Sequence, residues 1–337
     1  MKKNFVLSFI LIVFICIIGN FQYNNNLKPL KSEENKEIIR IEIPVGSNVE
    51  GIASLLEQKG VIKSGFTFKL YSKLNHIEDK YKAGIYDIDN SKDIKEIASA
   101  LQHGKGFYEI IKFTIPEGYE VRMIVDKLVE LGLGDRDKFY EAINNRYFDY
   151  DFLTDVSREE ERLEGYLFPD TYEVYKNTTE EEIIGKMLER FDQIFNEEFK
   201  ARASELNMSV NEIVTLASII EREAKVDEER KIVSSVFHNR LNINMMLRSC
   251  ATVQYVLKER KEVLLYKDLE IQSPYNTYKN PGLPPGPIAS PGLKSIEAAL
   301  YPDETDYLFF VAKNDGTHIF TKTFKEHIEA QNKLKSN

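Results

Sequence analysis

A skeleton of apolar and glycine positions occurs twice in this 337-residue chain. Ile43-Pro44-Val45-Gly46 is followed by Val49, Ile52, Leu56 and Gly60; 72 residues later, Ile115-Pro116-Glu117-Gly118 is followed by Val121, Ile124, Leu128 and Gly132. Each copy reads as a strand, a Pro-x-Gly turn and an amphipathic helix closed by glycine. Spacings of three and four put the apolar side chains on one helical face. A weaker pairing follows each copy. Tyr86-Asp87-Ile88 precedes Ser91 and a helix with Ile94 and Ile97, while Tyr172-Glu173-Val174 precedes Thr178 and a helix with Ile183, Ile184 and Met187. Ser91 and Thr178 are the expected N-caps. Residues 38–178 therefore read as a duplicated α+β module, and 179–337 as a mixed α/β domain.

The N-terminus bears on compartment. Met1-Lys2-Lys3 precedes an apolar run from Phe5 to Gly19 broken only by Ser8. At 1.5 Å per residue this run covers roughly 22 Å against the ~30 Å hydrocarbon core, a length between signal peptide and anchor. No small-x-small cleavage site follows, and Phe21 and Tyr23 extend the apolar end as interfacial aromatics do. The expectation is an uncleaved transmembrane helix within residues 1–21. Lys2 and Lys3 would keep the N-terminus cytoplasmic, with the bulk of the chain outside the plasma membrane. Residues 22–37, polar and Asn-rich, read as a flexible linker. Cys16 would lie in the membrane and Cys250 outside it, which leaves no intrachain disulfide.

Composition excludes classes. A net charge of −9 without a long basic run argues against a nucleic-acid partner, which needs a cationic surface. Two distant cysteines and five scattered histidines offer neither C-x-x-C nor H-E-x-x-H, so no metal or organic cofactor is implied.

The chemistry concentrates in the last third. Ser209 and Glu212 form a capping box that opens a helix running to Ala224. Ile213, Leu216 and Ile220 make one apolar stripe, and Val214, Ala217, Ser218 and Glu221 a neighbouring one. Small residues one turn before a carboxylate let another segment approach closely. Burial there would favour the protonated carboxyl that a general acid needs. The same glutamate also sits in a charged run, Glu221 to Glu228, and most residues of such a run are solvated, so from spacing alone a surface role is the plainer reading. Downstream, two Pro/Gly-rich turns bracket hydroxyl, amide and aromatic groups suited to sugars. Tyr307–Ala312 and His318–Phe320 read as a closing strand pair around Asn314-Asp315-Gly316.

Two resemblances follow. Strand, Pro-x-Gly corner and helix resemble LysM modules, which bind N-acetylglucosamine polymers. More specifically, Leu216-Ala-Ser-Ile-Ile-Glu-Arg-Glu-Ala224, Val236-Phe-His-Asn-Arg-Leu241, Ala251-Thr-Val-Gln-Tyr255, Tyr275-Asn-Thr-Tyr278, Gly282-Leu-Pro-Pro-Gly286 and Ala289-Ser-Pro-Gly292 resemble the endolytic murein transglycosylase (YceG-like) family, as does Glu164-Gly-Tyr-Leu-Phe-Pro-Asp-Thr-Tyr172. The likeness implies an anchored enzyme that cuts the MurNAc–GlcNAc β-1,4 bond of nascent peptidoglycan strands, leaving 1,6-anhydro-MurNAc ends and terminating elongation. It carries the catalytic role onto Glu221, and implies peptidoglycan synthases as partners. Glu164 and Glu223 are candidates for support. Asn239, Gln254, Tyr275, Asn276 and Thr277 are candidates for holding glycan, with Tyr275 or Tyr278 as the stacking ring. Many members read Leu-Gln-Ser-Asp where this chain has Leu247-Arg248-Ser249-Cys250, so an aspartate there is not essential to the reaction. Two alternatives stand beside this reading: a muramidase hydrolysing the same bond, and a non-catalytic LysM-like wall-binding anchor.

Overall fold

The structure is a computed structural model that describes residues 14, 17–44, 46–103, 110–154, 156, 161–261 and 264–335. It is mixed α+β, with helices predominating and three two-stranded sheets among the described residues. The chain forms two compact units, one of residues 1–111 with 173–177, the other of 112–172 with 178–337.

The first unit contains β1 (Ile38–Ile43), α1 (Val49–Gln58), α2 (Gly65–Leu74), β2 (Gly84–Asp89) and α3 (Ile94–His103). β1 and β2 pair antiparallel, with Ile41 opposite Tyr86. Alternation along the strands turns Ile41, Ile43, Tyr86 and Ile88 inward onto Ile52 and Leu56 of α1 and Ile97 and Leu101 of α3. The Tyr86 hydroxyl, buried with its ring, donates to the carbonyls of Lys82 and Leu101.

The second unit begins within β3 (Ile110–Thr114), which pairs with β4 (Thr171–Tyr175). It holds α4 (Val121–Glu130), α5 (Arg136–Asn145), α6 (Glu180–Ile194) and α7 (Glu197–Glu205). There follow α8 (Val210–Glu223), α9 (Arg230–Asn242), α10 (Cys250–Leu257), the short α11 (Tyr266–Leu269) and α12 (Leu293–Leu300). β5 (Phe309–Ala312) and β6 (His318–Thr321) form an antiparallel hairpin, and α13 (Phe324–Lys335) ends the chain. α8 is the axis of this unit: every residue from Ile213 to Ile220 is buried, so its two predicted stripes merge into one enclosed surface. Phe152 stacks on Tyr166 and Phe191 on Phe195, the two pairs meeting edge-on, and together they close the core at the α6 side.

The order strand, helix, helix, strand, helix thus occurs twice. The predicted division between 178 and 179 is not where the compact units part: Lys112 to Tyr172, most of the second copy, packs with the C-terminal helices. Other expectations shift locally. α3 is capped by Asp93, not Ser91, because Asp93 and Glu96 exchange bonds at the three-residue spacing of a capping box, while Ser91 donates to Asp89. The same spacing selects Thr179 with Glu182 over Thr178. The helix predicted around Ile183, Ile184 and Met187 ends at Ile194, and Asn196 caps a separate helix, α7. The predicted linker is partly structured: residues 17–27 are helical, and Lys31 and Glu37 bond Asn90. Among the described residues no helix is long and apolar enough to cross a membrane. Most of the expected anchor, including Cys16, lies outside them.

Candidate active site

The capping box predicted at Ser209 and Glu212 is formed, and starts α8 in the orientation that places Glu221 near its other end. The small residues one turn earlier do admit a second segment. Ser218 donates to the carbonyl of Thr215 and accepts from the N–H of Ile288, which draws the Pro284–Gly292 loop along the helix. Gly165 makes the same approach possible from the opposite wall: a Cβ there would lie 2.4 Å from the Pro287 ring, and its φ is +85°.

The loop ends on Glu221. The N–H of Gly292 donates to Glu221 Oε2 at 3.0 Å, and Ser295 Oγ, in the first turn of α12, donates to the same oxygen at 2.8 Å. Arg230, at the start of α9, lies 3.3 Å from Oε1 and also donates to Ser295 Oγ at 2.5 Å. Its Nε binds Asp227 at 3.0 Å. Asp227 receives Lys294 as well, and these bonds, Lys294 first, hold its carboxyl below the usual carboxylate range. The Glu221 side chain is 7% exposed. Its carboxyl is set among aligned donors, two of them on one oxygen, Oε2.

The remaining wall is the Pro116-Glu117-Gly118 turn of the second repeat. Gly118 N donates to Ser290 O at 2.8 Å and Ser290 N to Tyr119 O at 2.7 Å, which ties turn and loop together. A Cβ on Gly118 would lie 3.6 Å from Glu221 Cγ, and the Glu117 carboxyl lies directly against Gly292. Burial, and next the charge of Glu221, push the Glu117 carboxyl upward. Beside it, Glu120 receives Arg222 at 3.1 Å and Arg122 at 2.6 Å in a nearly enclosed ion-pair cluster.

The other candidates are placed differently. Glu164 is buried and accepts the N–H of Val121 on both oxygens, closing the α4 N-terminus; burial pushes its carboxyl well above the ordinary range. Glu223 accepts Ser249 Oγ and the N–H of Ala251, at the start of α10. Asn239 donates to the carbonyls of Thr305 and Tyr307, and Gln254 to that of Lys261. Asn276 is enclosed, donates to the carbonyls of Leu269 and Ile271, and accepts from Tyr278 N. Thr277 is buried with Thr252 and accepts from Ser249 N. These side chains shape the loops from within, because amides and hydroxyls next to Pro/Gly turns satisfy buried backbone groups first. Tyr275 pairs its ring with Tyr255, centroids 5.2 Å apart, and Tyr278 brings its hydroxyl 3.1 Å from Cys250 Sγ. Cys250 is a free thiol that burial pushes upward, not an activated nucleophile.

Sequence reading missed Glu117, Arg230, Ser295 and the Gly292 N–H as neighbours of Glu221. Only the Ala-Ser-Pro-Gly motif ending at Gly292 had drawn attention to this strand of the site. Among the described residues no cluster of His, Cys, Asp or Glu could hold a metal ion.

Known proteins have similar sequences. The chain is 38% identical over 331 residues to the endolytic murein transglycosylase of Bacillus subtilis strain 168, covering 95% of this chain and 91% of that one. It is 34% identical over 362 residues to the endolytic murein transglycosylase of Streptococcus pneumoniae serotype 2, covering 96% of this chain but 64% of that longer protein. A crystal structure of a yceG-like protein from Listeria monocytogenes matches with a TM-score of 0.58 and 38% identity, over 88% of this chain and all of that one. The YceG-like family model matches residues 41–333, and on that span, with these relatives, the chain belongs to the YceG-like family.

Proposed function

We propose that this protein is an endolytic murein transglycosylase with Glu221 as its catalytic residue, cutting the MurNAc–GlcNAc β-1,4 bond to leave 1,6-anhydro-MurNAc ends. The observation that carries the reading is Glu221 itself. In a chain related over most of its length to enzymes of that name, it is a nearly enclosed glutamate held by Gly292 N–H, Ser295 Oγ and Arg230. Oε2 is engaged by two hydrogen-bond donors, so Oε1, which has only the longer 3.3 Å contact to Arg230, is the oxygen that carries a proton to the glycosidic oxygen. As the C1–O bond breaks, its electron pair goes to the leaving oxygen, and the three donors stabilise the carboxylate left behind. That carboxylate then takes the proton of the MurNAc C6 hydroxyl while C6–O closes on C1. One carboxyl serves both steps.

The twice-repeated strand–helix–helix–strand order supports a LysM-like region over 38–178 ahead of a catalytic region over 179–337. Its glycan contact, anchorage by residues 1–21 in the plasma membrane and association with peptidoglycan synthases complete the proposal. An anchor would keep the enzyme where nascent strands emerge.

A second reading has an observation in its favour. Glu117 is another carboxyl beside Glu221, and a hydrolase uses two. Mass spectrometry of products from uncrosslinked glycan decides, because a muramidase leaves a reducing end one water heavier than the anhydro end. Glu221→Gln should fold normally and lose about 10³-fold in cleavage rate, the worth of a positioned acid. Activity near that of the unsubstituted protein would end the assignment.

A further inference from the structure

We infer that Glu117 is a positioning residue of the cleavage site, a second carboxyl whose charge acts on Glu221 from its open side. The inference rests on the reading of Glu221 just given. Glu117 comes from the Pro116-Glu117-Gly118 turn, and the two residues after it are bound to the 289–292 loop by the Gly118–Ser290 and Ser290–Tyr119 bonds. Arg260 donates to the carbonyl of Gly118 at 3.1 Å and pins the turn from outside. The Glu117 carboxyl crosses the face of Gly292, where an added Cβ would come within 1.9 Å of Oε1 and 2.1 Å of Cδ. The N–H of that same Gly292 donates to Glu221 Oε2. One glycine therefore separates the two carboxyls: Glu221 is enclosed behind it, and Glu117 is exposed in front.

The charges around Glu117 come from every element that packs on this corner. α8 supplies Glu221, the turn at 227–229 supplies Asp227, the start of α9 supplies Arg230 and α12 supplies Lys294. The negative groups favour a proton on Glu117 and the two cations oppose it, while burial, the largest influence, favours the proton. The charge of Glu221 raises the proton affinity of Glu117, and a Coulomb interaction of this kind acts in both directions. In the proposed reaction Glu221 must begin protonated. While Glu117 is ionised, its charge disfavours loss of that proton before substrate arrives.

Three variants and two readouts test this. With uncrosslinked glycan, kcat/KM is followed against pH for the unsubstituted enzyme, Glu117→Gln and Gly292→Ala. Gly292 has an extended backbone, φ −76° and ψ 168°, that alanine adopts, and the atoms its Cβ would meet are the mobile end of Glu117. This variant therefore evicts the carboxyl while leaving both glutamates in the chain. In both variants the high-pH limb should move to lower pH, with a roughly tenfold loss of kcat/KM on that limb if the coupling is about one pKa unit. Carboxyl ¹³C NMR gives a readout independent of activity: in Glu221→Gln the titration midpoint of Glu117 should fall. An unmoved midpoint overturns the inference. So do pH profiles that superimpose or that drop equally at all pH. If Glu221→Gln cleaves normally while the midpoint shift is present, the catalytic assignment fails and the coupling stands.

Discussion

Asn48 and Glu120 occupy the same place in the two copies of the repeat, one residue before the helix, and their side chains go in different directions. Asn48 turns back and accepts the N–H of Gly51, so α1 is capped by its own sequence. Glu120 makes no cap bond; its carboxylate reaches Arg222 on α8 and Arg122. The vacated cap of α4 is filled from 43 residues away by Glu164. The turn before each helix shows the same divergence. Gly46 and Gly118 share a left-handed φ, +82° and +72°, but nothing lies within 4 Å of a Cβ on Gly46, whereas one on Gly118 would meet Glu221 and Arg222. Val45 in sequence corresponds to Glu117. A duplicated backbone has thus stayed self-contained in one copy and become a wall of the candidate site in the other. The difference teaches that a repeat can keep its turns and helices while single positions, 45/117 and 48/120, redirect what it serves.

The largest expected effect separates these two caps. Glu120→Ala leaves Arg222, 8% exposed, without its acidic partner, and an uncompensated buried charge costs about 3–5 kcal/mol. Asn48→Ala removes one cap bond, worth about 1 kcal/mol. Amide exchange read separately on α4 and α1 should show the larger loss of protection in α4. Equal losses would mean that the Glu120–Arg222 pair is worth no more than one cap bond, and the comparison would collapse.

The turns give an intermediate effect. Alanine at a left-handed position costs roughly 1–2 kcal/mol, so Gly46→Ala and Gly118→Ala should destabilise their units by similar amounts. Only Gly118→Ala should slow glycan cleavage, since the strained turn is the one bonded to Ser290 and packed against Glu221 and Arg222. Slowed cleavage in both would give the first turn a part in the reaction that its open surroundings do not suggest.

How far the sequence revealed this follows from which interactions are local. The faces Val49/Ile52/Leu56 and Val121/Ile124/Leu128 were readable from 3.6-residue spacing; Val49 is half-buried, and all the others are buried. The Ser209–Glu212 box was readable because both partners lie within one turn. The 309–312 and 318–321 hairpin was readable from Asn-Asp-Gly between apolar runs. By contrast, Glu221 meets Gly292 and Ser295 across more than 70 residues, and the turn holding Glu117 across more than 100. Periodicity carries no information about such pairs. The amide and hydroxyl candidates, Asn239, Gln254, Asn276 and Thr277, misled for a related reason. The groups that bind sugars also satisfy buried loop carbonyls, and composition cannot tell the two uses apart.

The smallest effect concerns Glu164, the carboxyl that replaces a local cap in the second copy. Its folded-state proton affinity is raised, by burial above all, against the bonds from Val121 and Gly165 that favour the ionised form. A carboxyl raised on folding makes the native state bind more protons than the unfolded chain. Its contribution to stability is therefore complete below the ordinary glutamate value and declines as pH rises through the folded one. α4 should accordingly lose protection between weakly acidic and neutral pH. Glu164→Gln keeps an oxygen to accept the Val121 N–H but cannot ionise. It should lie within about 1 kcal/mol of the unsubstituted protein at neutral pH and remove its share of the pH slope. α1, capped by the uncharged Asn48, should show no matching change when α4 does. A slope in α4 that survives Glu164→Gln would place the titrating group elsewhere, and would make the borrowed cap of the second copy electrostatically equivalent to the local cap of the first.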